Sequence, residues 1–315
     1  MNEGMAASEA REAPIDWPAL ARAPDPCLIC GETAHEALYP PSYHGTIAGA
    51  AGYFLAHRAA TAHGPIVRCG GCGFVFTSPR FSGADYDRIY GGIHAPDNLD
   101  EAFDAAKAAR FRRLGDIVRR HLPEGGDFLD LGCGDGGFLR LFDDPRGRGF
   151  EVGLPGRRSA GRSEVITGDW ASFATSPDCP RASLDYLTAF DVLEHLPRID
   201  EDVALIRAVL KPGGLFFASV PNVESLVARA MGRRWNMLLL EHLWYFSPAT
   251  LARFLARHGF EQIEVRSVPF DAPVAHIATR LAQTFGMKGT FGVGALSRMV
   301  LPAPAGIMLG VYRAR

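Results

Sequence analysis

An apolar run that breaks into glycines constrains this chain more than any other feature. Residues 128–137 read Phe-Leu-Asp-Leu-Gly-Cys-Gly-Asp-Gly-Gly, the pattern of a buried strand, a tight turn and a helix start. Glycine adopts left-handed dihedrals without penalty and lets a ligand approach the backbone closely. Gly132, Gly134 and Gly137 also satisfy the G-x-G-x-x-G spacing of dinucleotide-binding turns, so the turn alone leaves a nicotinamide enzyme open. Beyond Gly125, short apolar runs alternate with helical stretches, which indicates an α/β fold built on a parallel sheet. Strands are expected at 127–131, 149–153, 164–167, 184–190 and 214–220, with later ones near 261–268 and 305–312. Helices are expected at 135–142, 199–210, 222–231 and 248–258, the last opened by Ser247-Pro248 and stopped at Gly259, with a further one at 274–285.

With 315 residues and 47% hydrophobic content, the chain has room for one α/β domain and a smaller unit. Lys and Arg number 33 against 35 Asp and Glu, a formal charge of -2, so no global field recruits nucleic acid or an anionic membrane. A small-molecule or carrier-linked partner is expected. The first residues lack a signal-peptide core and no apolar run reaches about 18 residues, so no membrane insertion and a cytoplasmic location are expected. Residues 1–24, rich in Ala, Glu and Pro, read as a flexible tail. The span 81–125 reads as a linker and a helix over 101–122, with Phe111, Leu114, Val118 and Leu122 on one face. Arg112, Arg113, Arg119 and Arg120 then fall on a solvated face.

Four of the six cysteines form two knuckles, Cys27-Leu-Ile-Cys30-Gly31 and Cys69-Gly-Gly-Cys72-Gly73, separated by 38 residues. A CxxC turn sets two thiolates about a tetrahedral edge apart, and the glycine after it frees amides to face sulfur. Cys27, Cys30, Cys69 and Cys72 are therefore expected to hold a structural zinc within a module over 25–80. A redox dithiol calls for a strand-to-helix setting that neither pair has. His35, His44, His57 and His63, between the knuckles, are expected at the surface or facing substrate.

The neighbours of the glycine turn say what it holds. Asp130-Leu131-Gly132-Cys133-Gly134-Asp135-Gly136 resembles the first motif of the class I S-adenosylmethionine-dependent methyltransferases, with Asp130 as its acid. The likeness spans about 126–268: Phe190-Asp191-Val192-Leu193-Glu194-His195-Leu196 closes the fourth strand as in that family, and Leu210-Lys211-Pro212-Gly213-Gly214 turns into the fifth. It implies a Rossmann-like, mostly parallel sheet with an antiparallel last strand over 126–315, behind the small zinc module. It further implies S-adenosylmethionine lying on Gly132, Gly134 and Gly136, its adenine near Asp169 and Trp170, with Asp191 at the floor near the methionine or the acceptor. The acid that the family places after the second strand to hold the ribose falls on Leu154, with Glu151 nearby. The ribose is then held differently, the cofactor bound weakly, or activity lost.

Methyl transfer needs a nucleophile held near the methyl carbon and often a base for its proton. Glu241-His242-Leu243-Trp244-Tyr245-Phe246-Ser247 is the richest candidate, since histidine titrates near neutrality and an adjacent carboxylate can fix its tautomer. The chain is similar here to zinc-module methyltransferases that act on carbon of nucleotide-linked deoxysugars, and less specifically to quinone-type O-methyltransferases. That resemblance implies Glu241 and His242 as catalytic residues, while the sugar enzymes' catalytic tyrosine falls on Leu239. His195 reads as a cap-region residue. Methyl transfer to oxygen or carbon of a small or carrier-linked acceptor is the leading expectation; a degenerate methyltransferase fold serving as a binding subunit, or a nicotinamide oxidoreductase, are the alternatives.

Overall fold

The computed structural model describes residues 13–20, 25–54, 62–91, 101–122, 124–153, 156–284, 287 and 294–315. Leu154 and His57 lie outside the described residues. The front of the chain holds a short helix α1 (Trp17–Leu20), strand β1 (His35–Tyr39), helix α2 (Ile47–Ala50) and strands β2 (Ile66–Cys69) and β3 (Val75–Thr77). Residues 13–20, expected within a flexible tail, are packed. Trp17 is 4% exposed, its ring centroid lies 5.2 Å from that of Phe81, and its Nε1 donates to the Tyr43 carbonyl at 2.9 Å. One buried indole with its N–H satisfied holds a segment whose composition otherwise favours disorder.

Helices α3 (Gly83–Gly91) and α4 (Glu101–His121) lead into the α/β unit. Leu114, Ile117 and Val118 on α4 are buried, at the three- and four-residue spacing of one helix face. Arg113, expected on a solvated face, pairs at 3.0 Å with Asp271, whose side chain is 3% exposed.

The chain then alternates β4 (Phe128–Leu131), α5 (Gly137–Phe142), β5 (Gly147–Val152), β6 (Gly156–Ala160), β7 (Ser163–Gly168), α6 (Trp170–Ala174), β8 (Leu184–Phe190), α7 (Ile199–Val209), β9 (Leu210–Pro221) and α8 (Leu226–Met231). After β10 (Trp244–Tyr245) and α9 (Pro248–Arg257) come β11 (Phe260–Pro273), α10 (Val274–Thr284) and β12 (Val300–Ala314). The large sheet runs β11-β12-β9-β8-β4-β5-β7-β6. Strand β4 is parallel to both neighbours, β5 and β8, and the connections leave it in opposite directions. That switch point opens a crevice at the carboxyl ends of the strands, where open α/β sheets hold ligands. Strand β12 runs antiparallel to β9 and β11, so the sheet is Rossmann-like with the antiparallel last strand that the resemblance implies.

Helix α6 and strands β6 and β10 stand outside the expected element list, and α8 starts later than expected. Strand β6, antiparallel to β7, stands where a helix would ordinarily join two parallel strands. Its sequence, Gly-Arg-Arg-Ser-Ala, carries no apolar alternation and is exposed at four of five positions. The helix expected from 222 starts only at Leu226, because Asn222 turns the chain by accepting from the Glu224 amide at 3.0 Å and Ser225 caps α8 at the Ala228 amide.

Strand β10 pairs with β3 and not with the large sheet, giving a second sheet β1-β2-β3-β10. The apolar core is continuous across the two sheets: Phe74 lies 5.3 Å from Phe246, which in turn lies 5.8 Å from Phe254 of α9. At the end of α9, Arg257 donates to the carbonyls of Leu28 and Ile29, inside the first knuckle. Helix α9 itself opens with a full capping box between Ser247 and Thr250 and a proline at its start. Ser247→Ala is expected to cost about 1 kcal/mol, read as a lower urea midpoint with an unchanged slope; an unchanged midpoint would mean that tertiary packing alone sets this helix start.

Candidate active site and metal centre

The glycine turn after β4 adopts the left-handed region at Gly132, Gly134 and Gly136, with φ of 70°, 57° and 82°. A Cβ on Gly132 would stand 2.5 Å from Val192 Cγ2, and one on Gly136 would collide with the Ala160 Cβ of β6. At Gly134 a Cβ meets nothing within 4 Å, so this corner of the turn faces open space. The Gly134 amide donates to Glu151 Oε2 at 2.6 Å, and the Val152 amide to Glu151 Oε1 at 3.2 Å. Burial raises the Glu151 carboxyl, an effect these two amides and the nearby Arg158 partly offset. Arg158, on β6, donates to the Gly134 carbonyl. A carboxylate at the end of β5 therefore does stand beside the glycine turn, supplied by Glu151; the register of β5, in which Glu151 faces Thr167, is the signal that points to it.

The other expected cofactor residues fall into different settings. Asp130 is 3% exposed in mid-strand, accepts from the Thr188 hydroxyl at 2.7 Å and is pushed by burial up to about 7. It sits behind the turn, not on its open side. Asp169 caps α6, accepting from the Ser172 amide at 2.8 Å, with its side chain 56% exposed at the carboxyl edge. Trp170 is 5% exposed and lies against Phe150 and Phe173, with no hydrogen-bond partner for its Nε1 among the described residues. Asp191 ends β8 at a φ of 58°, pairs with Arg110 of α4 and accepts from the Ser219 hydroxyl at 2.8 Å. Burial alone would raise its carboxyl, but Arg110 and Ser219 together hold it below the usual carboxylate range.

From Asp191 the chain enters the 3-10 turn Leu193–His195, which carries Glu194 and His195 up to the 241–242 segment. His195 Nδ1 lies 3.0 Å from the Glu241 carbonyl and His242 Nδ1 lies 2.8 Å from the Met237 carbonyl. Carbonyls only accept, so both rings carry their proton on Nδ1 and present a lone pair at Nε2. The two rings are edge-on, 4.7 Å apart, and the ligand-capable atoms of Glu194, His195 and His242 all lie within 4.8 Å of one another. Burial keeps the imidazoles neutral, lowering His195 to about 4 and His242 to about 3. It pushes Glu241 up to about 8 and Glu194 well above the carboxylate range, and Glu194 is raised further by the Asp191 charge. Neither oxygen of Glu194 nor Oε1 of Glu241 has a hydrogen-bond partner among the described residues. His195 is thus more than the cap-region residue expected of it, and Glu241 does not fix the tautomer of His242, which a backbone carbonyl does. Only folding brings positions 194–195 and 241–242 together, so local pattern carries no trace of the cluster.

The four knuckle thiols converge at the front. Cys27 Sγ lies 3.5 Å from Cys72 Sγ, and Cys30 Sγ 3.5 Å from Cys69 Sγ, with all four within 4.8 Å of one another. Sulfurs each about 2.3 Å from one tetrahedral cation stand about 3.8 Å apart, so the donor set has the size and chemistry of such a site. Of the histidines between the knuckles, His63 is buried with its Nδ1 2.7 Å from the Gly64 carbonyl, His35 is half-buried against the Phe76 ring, and His44 is exposed.

A family model described as "Methyltransferase domain" matches residues 106–265. The ubiquinone biosynthesis O-methyltransferase of Burkholderia pseudomallei is 26% identical over 186 residues, covering 51% of this chain and 79% of that protein. The C-methyltransferase NovU of Streptomyces niveus is 28% identical over 182 residues, covering 52% of this chain and 42% of that protein. Among solved structures, a Burkholderia thailandensis 1,6-didemethyltoxoflavin-N1-methyltransferase aligns with a TM-score of 0.40 at 16% identity, over 70% of this chain and 93% of that one. No helix among the described residues is long and apolar enough to cross a membrane. With the glycine turn, the switch-point crevice and the family match spanning both the turn and the acid–histidine cluster, the chain belongs to the methyltransferase-domain family, enzymes that take their methyl group from S-adenosylmethionine.

Proposed function

We propose that this enzyme methylates an oxygen or carbon of a small or carrier-linked acceptor, with His242 as the base and a structural zinc in the front module. The observation that carries the reading is the contiguity of the two halves of the site: Gly132 packs on Val192, and two and three residues later Glu194 and His195 touch the 241–242 segment. The cofactor supplies an electrophilic methyl on a sulfonium. Gly134, open to space and beside the Glu151 carboxylate, supports placing the ribose end there, with Asp169 and Trp170 toward the adenine and Asp191 toward the acceptor. Names of the relatives support oxygen or carbon as the accepting atom, and the four cysteines support zinc.

Within that frame each acceptor-side residue has a stated task. His242, fixed at Nδ1 by the Met237 carbonyl, turns the Nε2 lone pair to the acceptor and takes its proton there. Glu241, neutral until about pH 8, offers Oε1 as a hydrogen-bond partner to the acceptor. Asp191, kept ionised by Arg110, stabilises the imidazolium that forms.

Replacing Glu151 with Ala is expected to weaken S-adenosylhomocysteine binding about tenfold or more, since each charged hydrogen bond is worth about 1.5–3 kcal/mol. Calorimetry showing equal affinity for the variant would remove Glu151 from the ribose. His242→Asn keeps part of the hydrogen bonding but no base near neutrality, so turnover should fall about 100-fold or more with cofactor affinity intact. Near-normal turnover would take His242 out of the mechanism.

Protonation of the cluster sets a pH dependence of stability. The folded Glu241 holds its proton up to about 8, above the ordinary 4.5, so its contribution is lost as pH rises through that window. The histidines act oppositely, losing stability only as pH falls below 6.5, and so are silent above it. Between pH 6.5 and 8 the wild type should lose stability, with up to about 2 kcal/mol from Glu241, and the raised Glu194 acts in the same direction. Urea unfolding of Glu241→Gln should show a smaller loss; the same loss in both proteins would place the titration elsewhere.

A further inference from the structure

We propose that the four-cysteine module is a positioning element for the acceptor-side segment, and that Thr77 carries its hold onto His242. The second knuckle closes the hairpin of β2 and β3: Cys69, at the end of β2, donates to the Phe74 carbonyl at 2.8 Å, and β3 begins three residues after Cys72. Cross-linking of this turn to Cys27 and Cys30 through one cation fixes the hairpin. A strand of three residues has little stability of its own.

The other edge of β3 grips the catalytic segment. Phe76 pairs with Trp244 and Val75 with Tyr245. Thr77 then holds two successive carbonyls: its amide donates to Leu243 at 2.9 Å and its hydroxyl to His242 at 3.0 Å. Thr77 is 4% exposed, so both bonds are dry. From the opposite side the Leu243 amide donates to the Glu194 carbonyl at 2.8 Å, and the His242 ring is tied to Met237. The segment is therefore clamped between β3 and the 3-10 turn, and β3 is the only strand with which β10 pairs among the described residues. The first knuckle holds the flank, since Arg257 binds the Leu28 and Ile29 carbonyls from the end of the following helix. Two residues cannot persist as an isolated strand. Releasing the hairpin frees the backbone on which Glu241 and His242 ride, while among the described residues the glycines of the turn on β4 and β5 have no knuckle thiol among their nearest neighbours. The consequence for turnover rests on the assignment of His242 as base; the consequence for order does not.

Hydrogen exchange on the full chain tests this, with zinc content measured first and compared before and after chelation. Amides in 66–77 and 241–246 should lose protection together, by about tenfold or more, while β4 and α5 keep theirs and S-adenosylhomocysteine affinity is held. Thr77→Val should speed exchange at Leu243 with metal still bound, and Thr77→Ser should restore it. Retained protection of 241–246 after metal loss, simultaneous loss in β4, protein without zinc, or a silent Thr77→Val would each overturn the proposal. If the exchange pattern holds while His242→Asn keeps its turnover, the positioning stands and the base assignment falls.

Discussion

The ion pair between Arg110 and Asp191 is the interaction on which the acid–histidine cluster rests. Asp191 takes a left-handed backbone conformation at the end of β8, which costs a non-glycine residue about 1–2 kcal/mol. Its carboxylate is held by the guanidinium and by Ser219, whose carbonyl also accepts from the Asp191 amide. These contacts turn the chain sharply enough to start the 3-10 turn that carries Glu194 and His195. Arg110 comes from α4, outside the sheet, so a helix that precedes β4 secures the end of β8. Removing either partner leaves a half-buried charge without its ionic partner, which destabilises less than breaking a fully buried pair would.

Around that pair the protein stores groups that are ionisable but mostly uncharged. Glu194 and Glu241 are buried without full hydrogen bonding, and two imidazoles are kept neutral by the same burial. Unsatisfied buried polar atoms are few in native proteins because each costs about 1–3 kcal/mol. Three such oxygens, both of Glu194 and one of Glu241, stand beside the two imidazoles, so this cluster is held together at a cost in stability. A low-dielectric pocket also strengthens every charge that appears within it, so one proton moved between these groups shifts the local field far more than at a surface.

What the sequence made legible follows from how local each signal is. The glycine turn, the strands around it and the start of α9 were readable because dihedral need, burial period and capping are all local. The knuckle cysteines were readable from spacing. Strand β6 was not: Gly156-Arg-Arg-Ser-Ala has no apolar face because it lies exposed at the sheet edge. The packing of Trp17 leaves no trace in composition, since a single anchor does not alter that of a tail. The pairing of β3 with β10 was invisible for a stronger reason, as two residues joined to three across more than 160 positions leave no periodicity. A shorter separation, 47 positions, hid the meeting of His195 with His242 for the same reason.

Strand β6 also changes how the glycine turn is walled. A helix between β5 and β7 would lay apolar side chains over the carboxyl edge. Here Ala160 abuts Gly136, which is why that glycine cannot carry a side chain, and Arg158 reaches the Gly134 carbonyl beside Glu151. The wall is thin, polar and open to solvent. Glu151 lies one residue before the end of β5, while the family's acid is expected past it, so the carboxylate is drawn inward against the turn and held there by two backbone amides. In this fold the carboxylate beside the glycines comes from β5 itself, and an antiparallel strand takes the place of a helix next to it.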